Sequence, residues 1–386
     1  MPSERCLAKG GIERIGSETA PWKLEITGEE PVTGTSHFSD HAEAIAHVGE
    51  FLSGRVLENF QELKAVGFKT VMAKDVSGTQ FLTEDVLKAM EELNAVVPAH
   101  NPPYIAAVRA FNVLAPGIPC IGTFETAFYD HVPEYNSRFP IPLEWEQKFG
   151  IRRYGFHGAS HRFVTERAAE LAGSKEQRII SCHLGGSSSI AAVKNGVAIN
   201  SSWGMTPQSG LPQNNRVGDF DVFALIHLLR NCNMTLDEVE SALSKDSGLK
   251  GMSGLSSGDI RDLLKAVEEN NQNAQIALDV FVAQIRKYIG QFLMELNGAD
   301  QLVLTGGIAE NNPLLRTRIC QDLDFCGIHL DPERNAKTGA EEALISTPES
   351  KVQIRVIPTN EEIIIARNAC NLLNATASLP QPQHVC

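Results

Sequence analysis

The sequence predicts a protein of the α/β class. Segments with strand and helix character alternate along the whole chain, and its 386 residues are enough for roughly two or three domains. Hydrophobic residues make up 42% of the chain and charged residues 21%. Both values are ordinary for globular proteins, so the composition argues against wholesale disorder.

Charge and cysteine content limit the classes of partner. The formal net charge of −13 argues against a nucleic-acid-binding surface, although a local basic cleft could still hold an anionic ligand. No apolar run approaches the roughly 18 residues of a membrane span, and the opening MPSERCLAKGG lacks the apolar run of a signal peptide. The eight cysteines form no CxxC pair, which is typical of reduced thiols. We therefore expect a cytoplasmic protein with no nucleic-acid or membrane partner.

Capping residues and apolar spacing predict three helices in the first half of the chain. Serine, threonine or aspartate before a helix can accept its unpaired N–H groups, and glycine can adopt the left-handed conformation that ends one. The predicted helices cover residues 42–52 after Ser39 or Asp40, about 84–94 after Thr83, and 160–171 before Gly173.

Short apolar runs predict five strands from residue 178 onward. The pair Asn195-Gly196, a strong signal for a two-residue hairpin, joins two of them. The last two each run into a helix. The predicted strands cover residues 178–183, 188–193, 197–200, 301–305 and 352–358.

A turn rich in glycine and serine follows the first of these strands. Gly185, Gly186 and Ser187 lead into Ser188 and Ser189, so the turn presents backbone N–H groups and hydroxyls without bulky side chains. A phosphate chain needs such a surface, but a β-turn that binds nothing could have the same composition. The residues alone leave both interpretations open.

A second glycine pair, Gly306-Gly307, follows the predicted strand at 301–305. We expect a helix to begin near Asn311 and to offer free N–H groups and the positive end of its dipole to a nucleotide. A plain strand-to-helix turn is the alternative.

Two arginines and two histidines surround the glycines just before the predicted helix at 160–171: Arg152, Arg153, His157 and His161. Histidine can donate to a transferring phosphoryl group when its other ring nitrogen is oriented. For His161 we favour a helix cap or a hydrogen bond in the core. His157 lies in the loop and is the better candidate.

Arg216 and Glu361 are two further charged candidates. Arg216 lies in the polar segment NNRVGDFD, where its planar guanidinium could pair with a carboxylate or a phosphoryl group or could simply be solvated. Glu361 follows a predicted strand at the start of a helix. It could stabilise the first helical turn or orient a metal-bound water.

Taken in order, these segments resemble the acetate and propionate kinase family of actin-like, sugar-kinase-like phosphotransferases. The resemblance extends from about Cys6 to about Leu373. It rests on a series of long motifs in the family's order: AKGGIERIG, PAHNPP, FETAF, GIRRYGFHGASH, CHLGGSSSI, GMTPQSGL, NNRVGDFD, GADQLVLTGGIAEN and VIPTNEE.

The resemblance implies a two-domain actin-like (ribonuclease H-like) fold with a nucleotide cleft between the domains. Residues 1–127 and about 365–386 would form the first, carboxylate-side domain, and residues 128–364 the second, nucleotide-binding domain. The family's members act as homodimers. They use Mg²⁺ and ATP to phosphorylate acetate or another short carboxylate, reversibly, by in-line transfer.

The resemblance also assigns functions to individual residues. Arg216 matches the arginine that clamps carboxylate and phosphoryl oxygens, His157 the histidine that hydrogen-bonds the transferring group, and Glu125 a catalytic acidic residue. Glu361 matches the acid that holds magnesium. The matches to substrate-binding positions are Lys69, Val71, Ala99, Phe156 and Pro207. The matches to nucleotide-binding positions are His183, Leu184, Gly185, Gly186, Ser187, Asp259, Ile260, Arg261, Gly307, Ile308, Ala309, Glu310 and Asn311.

Several positions depart from the family's pattern. Glu125 stands for an aspartate, and Lys69 stands for a second arginine, so that the charge is kept without the bidentate fork. Gly186-Ser187 stands for Asn-Gly, and Ala99 stands for a common leucine, which predicts a larger acyl pocket. The family's opening strand and N-x-G-S-S loop have no match. We therefore expect Met1 to be an internal methionine of a chain with about 20 more residues.

Three functions remain open at this point: an acetate kinase, a kinase for propionate or butyrate, and a non-catalytic nucleotide-binding homologue. The retained Arg216, His157 and Glu361 favour a kinase. The altered segment around Lys69 and the altered glycine-rich turn favour the non-catalytic homologue.

Overall fold

The computed structural model describes residues 3–98 and 100–377. The chain divides into two compact units. The first unit is Met1–Ala127 with Glu362–Cys386, and the second is Phe128–Glu361.

Both units mix strands with helices. In the described part of the chain the strands are β1 (Ala8–Ile12), β2 (Ala20–Ile26), β3 (Val32–Ser36), β4 (Val66–Thr70), β5 (Thr79–Phe81), β6 (Cys120–Phe124), β7 (Arg178–Leu184), β8 (Ser188–Lys194), β9 (Val197–Ser201), β10 (Gln301–Thr305), β11 (Ala343–Leu344) and β12 (Gln353–Val356). The α-helices in the same ranges are α1 (His41–Leu52), α2 (Glu84–Glu91), α3 (Asn101–Leu114), α4 (Glu134–Ser137), α5 (Leu143–Phe149), α6 (Gly158–Ala172), α7 (Val222–Asn231), α8 (Leu236–Lys245), α9 (Gly248–Ser253), α10 (Ile260–Glu268), α11 (Gln272–Glu295), α12 (Gly307–Asn311), α13 (Pro313–Cys320), α14 (Pro332–Lys337) and α15 (Glu361–Ala377).

The first unit contains two three-stranded sheets. Strands β1, β2 and β3 form an antiparallel meander, and the other sheet has the order β4-β6-β5. Strands β4 and β6 are parallel, with Lys69 opposite Thr123. Because parallel strands end at the same edge of a sheet, Val71 after β4 and Glu125 after β6 follow neighbouring strand ends.

The second unit is built around a six-stranded sheet with the order β11-β12-β10-β7-β8-β9. Strands β7, β10 and β12 are parallel, and β7, β8 and β9 form consecutive antiparallel hairpins. Alternate residues of β7 enter different clusters: Ile180 packs with Phe281 of α11, whereas Ile179 packs with Val164 of α6. The sheet is therefore covered on both faces, as its continuously apolar strands require.

The helix caps expected from the sequence are confirmed. Asp40 caps α1 by accepting from two backbone N–H groups, and Thr83 caps α2. Gly173 ends α6 in the left-handed conformation, with φ of 67°. Asn195 and Gly196 both have positive φ between β8 and β9, as the predicted two-residue hairpin requires.

The helix expected to begin near Asn311 is confirmed within two residues, and a short additional turn precedes it. A single turn, α12, begins at Gly307, and the longer helix α13 begins at Pro313. Proline is favoured at the first helical position, and the Asn312 side chain caps α13 by accepting from the Leu315 N–H at 2.9 Å. The N–H groups at the start of α13 are therefore partly used by the chain itself.

Candidate active site

The glycine-rich turn between β7 and β8 is tied to the segment that carries Arg216. The Ser187 hydroxyl donates to Gln213 Oε1 at 2.8 Å, and the Asn214 N–H donates to the Gly186 carbonyl at 3.2 Å. The Gln213 side chain, which is buried, donates in turn to the Pro207 carbonyl at 2.9 Å. The second unit thus brings together a candidate phosphate loop, a candidate arginine and Pro207.

Arg216 is partly buried and held at its guanidinium. Its Nη1 donates to the Pro207 carbonyl at 2.9 Å. Burial lowers the pKa of the guanidinium below its ordinary value, but arginine remains a cation in proteins. A partly desolvated cation that is already oriented by one hydrogen bond interacts with an anion more strongly than a solvated surface arginine does.

His157 lies at the start of α6 in a strained backbone conformation. Its φ is 55°, which is uncommon for a residue with a side chain, and its ring stacks on that of His183 with centroids 4.2 Å apart. The His157 Nδ1 lies 2.8 Å from the Ser189 hydroxyl of β8. Backbone strain of this kind persists only where the surrounding structure holds the residue in place, and such residues cluster at functional sites.

His161 is fully buried one turn further along α6, as expected for a core histidine. Its Nδ1 lies 2.8 Å from the Ser181 hydroxyl, and its Nε2 lies 2.8 Å from the Ser189 hydroxyl. Burial, with a smaller contribution from His183, holds the pKa of His161 well below its ordinary value. His161 is therefore a neutral imidazole at pH 7.

The turn after β10 is packed directly against the end of β7. Gly306 has a φ of 84°, and a Cβ placed on it would lie 2.6 Å from the Leu184 carbonyl oxygen. Glu310 holds this turn, because its Oε1 accepts from the Gly306 N–H at 2.7 Å and from the Thr305 hydroxyl at 3.2 Å. The two glycine-rich segments that were predicted separately from the sequence are neighbours in the sheet.

Replacing Gly306 with alanine is expected to lower the free energy of unfolding by about 3 kcal/mol, since the new Cβ combines a strained φ with backbone overlap. Gly307→Ala is the matched control, because a Cβ at Gly307 meets no atom within 4 Å. Urea unfolding of the two variants measures the difference. Equal stability of the two variants would show that the close approach at Gly306 is not rigid.

The Asp259–Arg261 segment lies beside the segment that carries Arg216. A Cβ on Gly258 would overlap the Asn214 carbonyl oxygen, so the two backbones approach closely there. Asp259 caps α10 and pairs with Arg261, whose hydrogen bond lowers the pKa of the Asp259 carboxyl. The side chains of Leu184, Ile260, Ile308 and Ala309 are buried, so only their backbone groups could face a nucleotide.

The remaining substrate-side candidates lie in both units. Lys69, Val71 and Glu125 belong to the first unit, where Val71 is 5% and Glu125 3% exposed. Phe156 belongs to the second unit, is 3% exposed and packs edge-on against Trp203. Ala99 lies outside the described residues.

Glu361 is the first residue of α15, after β12. Across residues 3–98 and 100–377, no group of three or more His, Cys, Asp or Glu side chains could hold a metal ion by itself. Kinases usually hold Mg²⁺ through one or two carboxylates together with substrate phosphates and water, so one carboxylate at Glu361 fits that type of site. In the same part of the chain, no helix is both long and apolar enough to cross a bilayer.

The sequence model described as the acetokinase family matches residues 1–367. This chain belongs to the acetokinase family. Acetate kinase from Geobacillus sp. (strain WCH70) is 41% identical over 378 residues, which cover 97% of this chain and 94% of that protein. Acetate kinase from Bacillus subtilis (strain 168) is 40% identical over 376 residues, covering 96% and 94%.

Solved structures of the family agree with this fold. Porphyromonas gingivalis acetate kinase matches with a TM-score of 0.86 and 36% identity, over 95% of this chain and 93% of that one. A propionate kinase from Francisella tularensis subsp. tularensis SCHU S4 matches with a TM-score of 0.87 and 28% identity, over 94% and 92%. The predicted α/β class and actin-like fold are confirmed.

Family membership does not by itself identify the residues that support the site, and sequence reasoning missed three of them. Gln213 links the phosphate loop to Pro207, while Ser181 and Ser189 bind the buried His161. Ser189 was noted only as part of a serine-rich turn. No local pattern in one sequence marks the other two, because their partners lie in other segments.

Proposed function

We propose that this protein is an acetate kinase that transfers the terminal phosphoryl group of ATP to acetate, giving acetyl phosphate and ADP, and that also runs in reverse. Membership of the acetokinase family supports the reaction. The observation that carries the proposal is the cluster in the second unit, where the glycine-rich turn is hydrogen-bonded to the Arg216 segment.

The chain's own groups would do most of their work by positioning and by neutralising charge, as in-line phosphoryl transfer requires. The Gly185–Ser187 turn would donate backbone N–H groups to phosphate oxygens. Arg216, already oriented by the Pro207 carbonyl, would stabilise charge on the transferring group, and His157 would donate a hydrogen bond to it. Glu361 would hold Mg²⁺, which neutralises phosphate charge when bound with ATP.

Acetate is the preferred acyl acceptor in this proposal, and propionate is the second candidate. The described residues assigned to the acyl group, Val71, Phe156 and Pro207, are buried and apolar, so each extra methylene would be accepted only if it found space. The likeness to a propionate kinase structure supports testing the longer acids. Lys69, with its single point charge, is the feature that favours weak or absent catalysis.

We further propose that the first unit serves the carboxylate and the second unit the nucleotide. The protein would act as a cytoplasmic homodimer, as the family resemblance implies. Sedimentation at several protein concentrations would test the dimer independently of activity.

Purified protein given MgATP, acetate and hydroxylamine is expected to accumulate acetohydroxamate, because hydroxylamine traps acyl phosphates. Parallel reactions with propionate and butyrate should give lower kcat/KM if the buried side chains leave no space for an added methylene. A pocket that fits the methylene would instead favour the longer acid by about 0.8 kcal/mol, or roughly fourfold. A reaction without carboxylate is the blank.

Calorimetric titration with ADP distinguishes the remaining alternatives. Nucleotide binding without hydroxamate from any of the three acids would contradict the kinase and support the non-catalytic homologue. A higher kcat/KM for propionate would replace acetate as the substrate and leave the reaction class unchanged.

A further inference from the structure

A continuous chain of side-chain hydrogen bonds runs from the sheet of the second unit to His157. Ser181 contacts His161 Nδ1, His161 Nε2 contacts Ser189, and Ser189 contacts His157 Nδ1, each at 2.8 Å. Ser181, His161 and Ser189 are all fully buried. Water therefore cannot easily replace any member of this chain, which we call the serine–histidine relay.

The relay couples the tautomers of the two histidines. A neutral imidazole has one N–H and one bare nitrogen, and a hydroxyl has a single proton to donate. If Ser189 donates to His157 Nδ1, it must accept from His161 Nε2, so His161 carries its proton on Nε2. If Ser189 instead donates to His161, then His157 must carry a proton on Nδ1. Ser189 could also accept from both rings, but its buried hydroxyl proton would then have no acceptor within the relay, so the two directional arrangements are favoured.

The proposed reaction selects between the two directions, and this inference rests on that proposed function. A phosphoryl oxygen can only accept a hydrogen bond, so a neutral His157 that contacts it must donate from Nε2. Its Nδ1 is then bare and must accept from Ser189. The relay accordingly runs from Ser181 through His161 and Ser189 to His157.

We propose that His161 and Ser189 are positioning residues that hold His157 in the tautomer with its proton on Nε2, so that this N–H is directed to the transferring phosphoryl group. Both residues are fully buried, so they would act through His157 and not by contact with the substrate. The low pKa of His161 fits this function, because a protonated His161 would donate from both nitrogens and could no longer accept from Ser181. Second partners of this kind commonly fix which nitrogen of a functional histidine carries the proton.

Nitrogen-15 NMR of histidine-labelled protein without substrates tests the relay directly. At pH 8, above the ordinary imidazole pKa of about 6.5, both His157 and His161 of the wild type are expected to carry the proton on Nε2. In Ser189→Ala, His157 is expected to show both tautomers. A proton on His157 Nδ1 in the wild type, or an unchanged tautomer in the variant, would overturn the inference whether or not the protein makes acetyl phosphate.

Kinetics test whether the tautomer matters for phosphoryl transfer. Ser189→Ala is expected to lower kcat by about tenfold while KM for ATP and acetate stays within about twofold, because orientation is lost and binding is not. Ser189→Thr keeps the hydroxyl and should retain most of the rate. Thr165→Val is the matched control, since the buried Thr165 hydroxyl bonds the His161 carbonyl outside the relay.

The outcomes separate this inference from the proposed function. A wild type that forms no acyl phosphate would contradict the proposed function, and the NMR result would still decide the relay. An active wild type whose kcat is unaffected by Ser189→Ala would overturn the positioning function, provided that circular dichroism shows the variant folded.

Discussion

Replacing Arg216 with alanine is expected to lower kcat for acetyl phosphate formation by about a hundredfold or more, because the transferring phosphoryl group would lose its preorganised cation. The Pro207 carbonyl would lose the donor that now lies 2.9 Å away, but Gln213 still donates to the same oxygen, so the fold should survive. The hydroxamate assay measures kcat of the variant, and circular dichroism checks that it is folded.

Two further variants sharpen this result. Arg216→Lys keeps the charge but loses the planar fork, so its kcat should lie between those of the wild type and Arg216→Ala. Arg230→Ala removes an exposed arginine in the last turn of α7 and should leave kcat unchanged. Near wild-type kcat in Arg216→Ala would remove the proposed mechanism.

Replacing Arg316 with methionine is expected to lower the free energy of unfolding by about 4 kcal/mol. Arg316 is fully buried in α13, and its guanidinium donates to the carbonyls of Ala309, Glu310, Asn335 and Thr338 as well as to Asn335 Oδ1. Methionine would fill much of the volume but leave these acceptors without a donor. Part of this loss of stability is offset, because methionine carries no charge that must be desolvated when the protein folds.

Arg318→Met, on the same helix, is the comparison. Arg318 pairs with Asp279 near the surface, and such pairs contribute at most about 1 kcal/mol. Denaturant unfolding followed by tryptophan fluorescence measures both variants. A loss at Arg316 no larger than that at Arg318 would contradict the bonding described here.

Local signals in the sequence were sufficient for the parts of the fold that close over a few residues. The Asn195-Gly196 hairpin and the caps at Asp40 and Thr83 depend on neighbours two or three positions away, and all were predicted. The helix predicted near Asn311 is also present, because Asn312-Pro313 carries the start signal of α13, whereas the single turn α12 before it was not predicted.

The support of the candidate site could not be predicted in the same way. His157 and Ser189 are 32 residues apart, and Ser187 and Gln213 are 26 apart, so each contact depends on the folded sheet. Arg216 and His157 were candidates from their local segments, but only the family motifs assigned them functions, because neither composition nor spacing separates a bound arginine from a solvated one. Asn101 is fully buried, and its Nδ2 donates to the carbonyls of Met72 and Met90. Its structural function could not be predicted, because both partners lie in other segments.

The strand order of the second unit has a consequence for biosynthesis. Strand β7 pairs on one side with β8, which follows it at once, and on the other with β10, where Ile179 is opposite Gln301 roughly 120 residues later. At about 5–20 residues per second a ribosome needs about 6–24 s to make that stretch. During this interval the nascent β7 edge waits for its partner with unpaired N–H and C=O groups, which makes it a template for association with other chains. Slow translation or high expression should therefore increase aggregation through the unpaired edge of β7. A chaperone that covers the β7–β8 hairpin should raise the yield of folded protein.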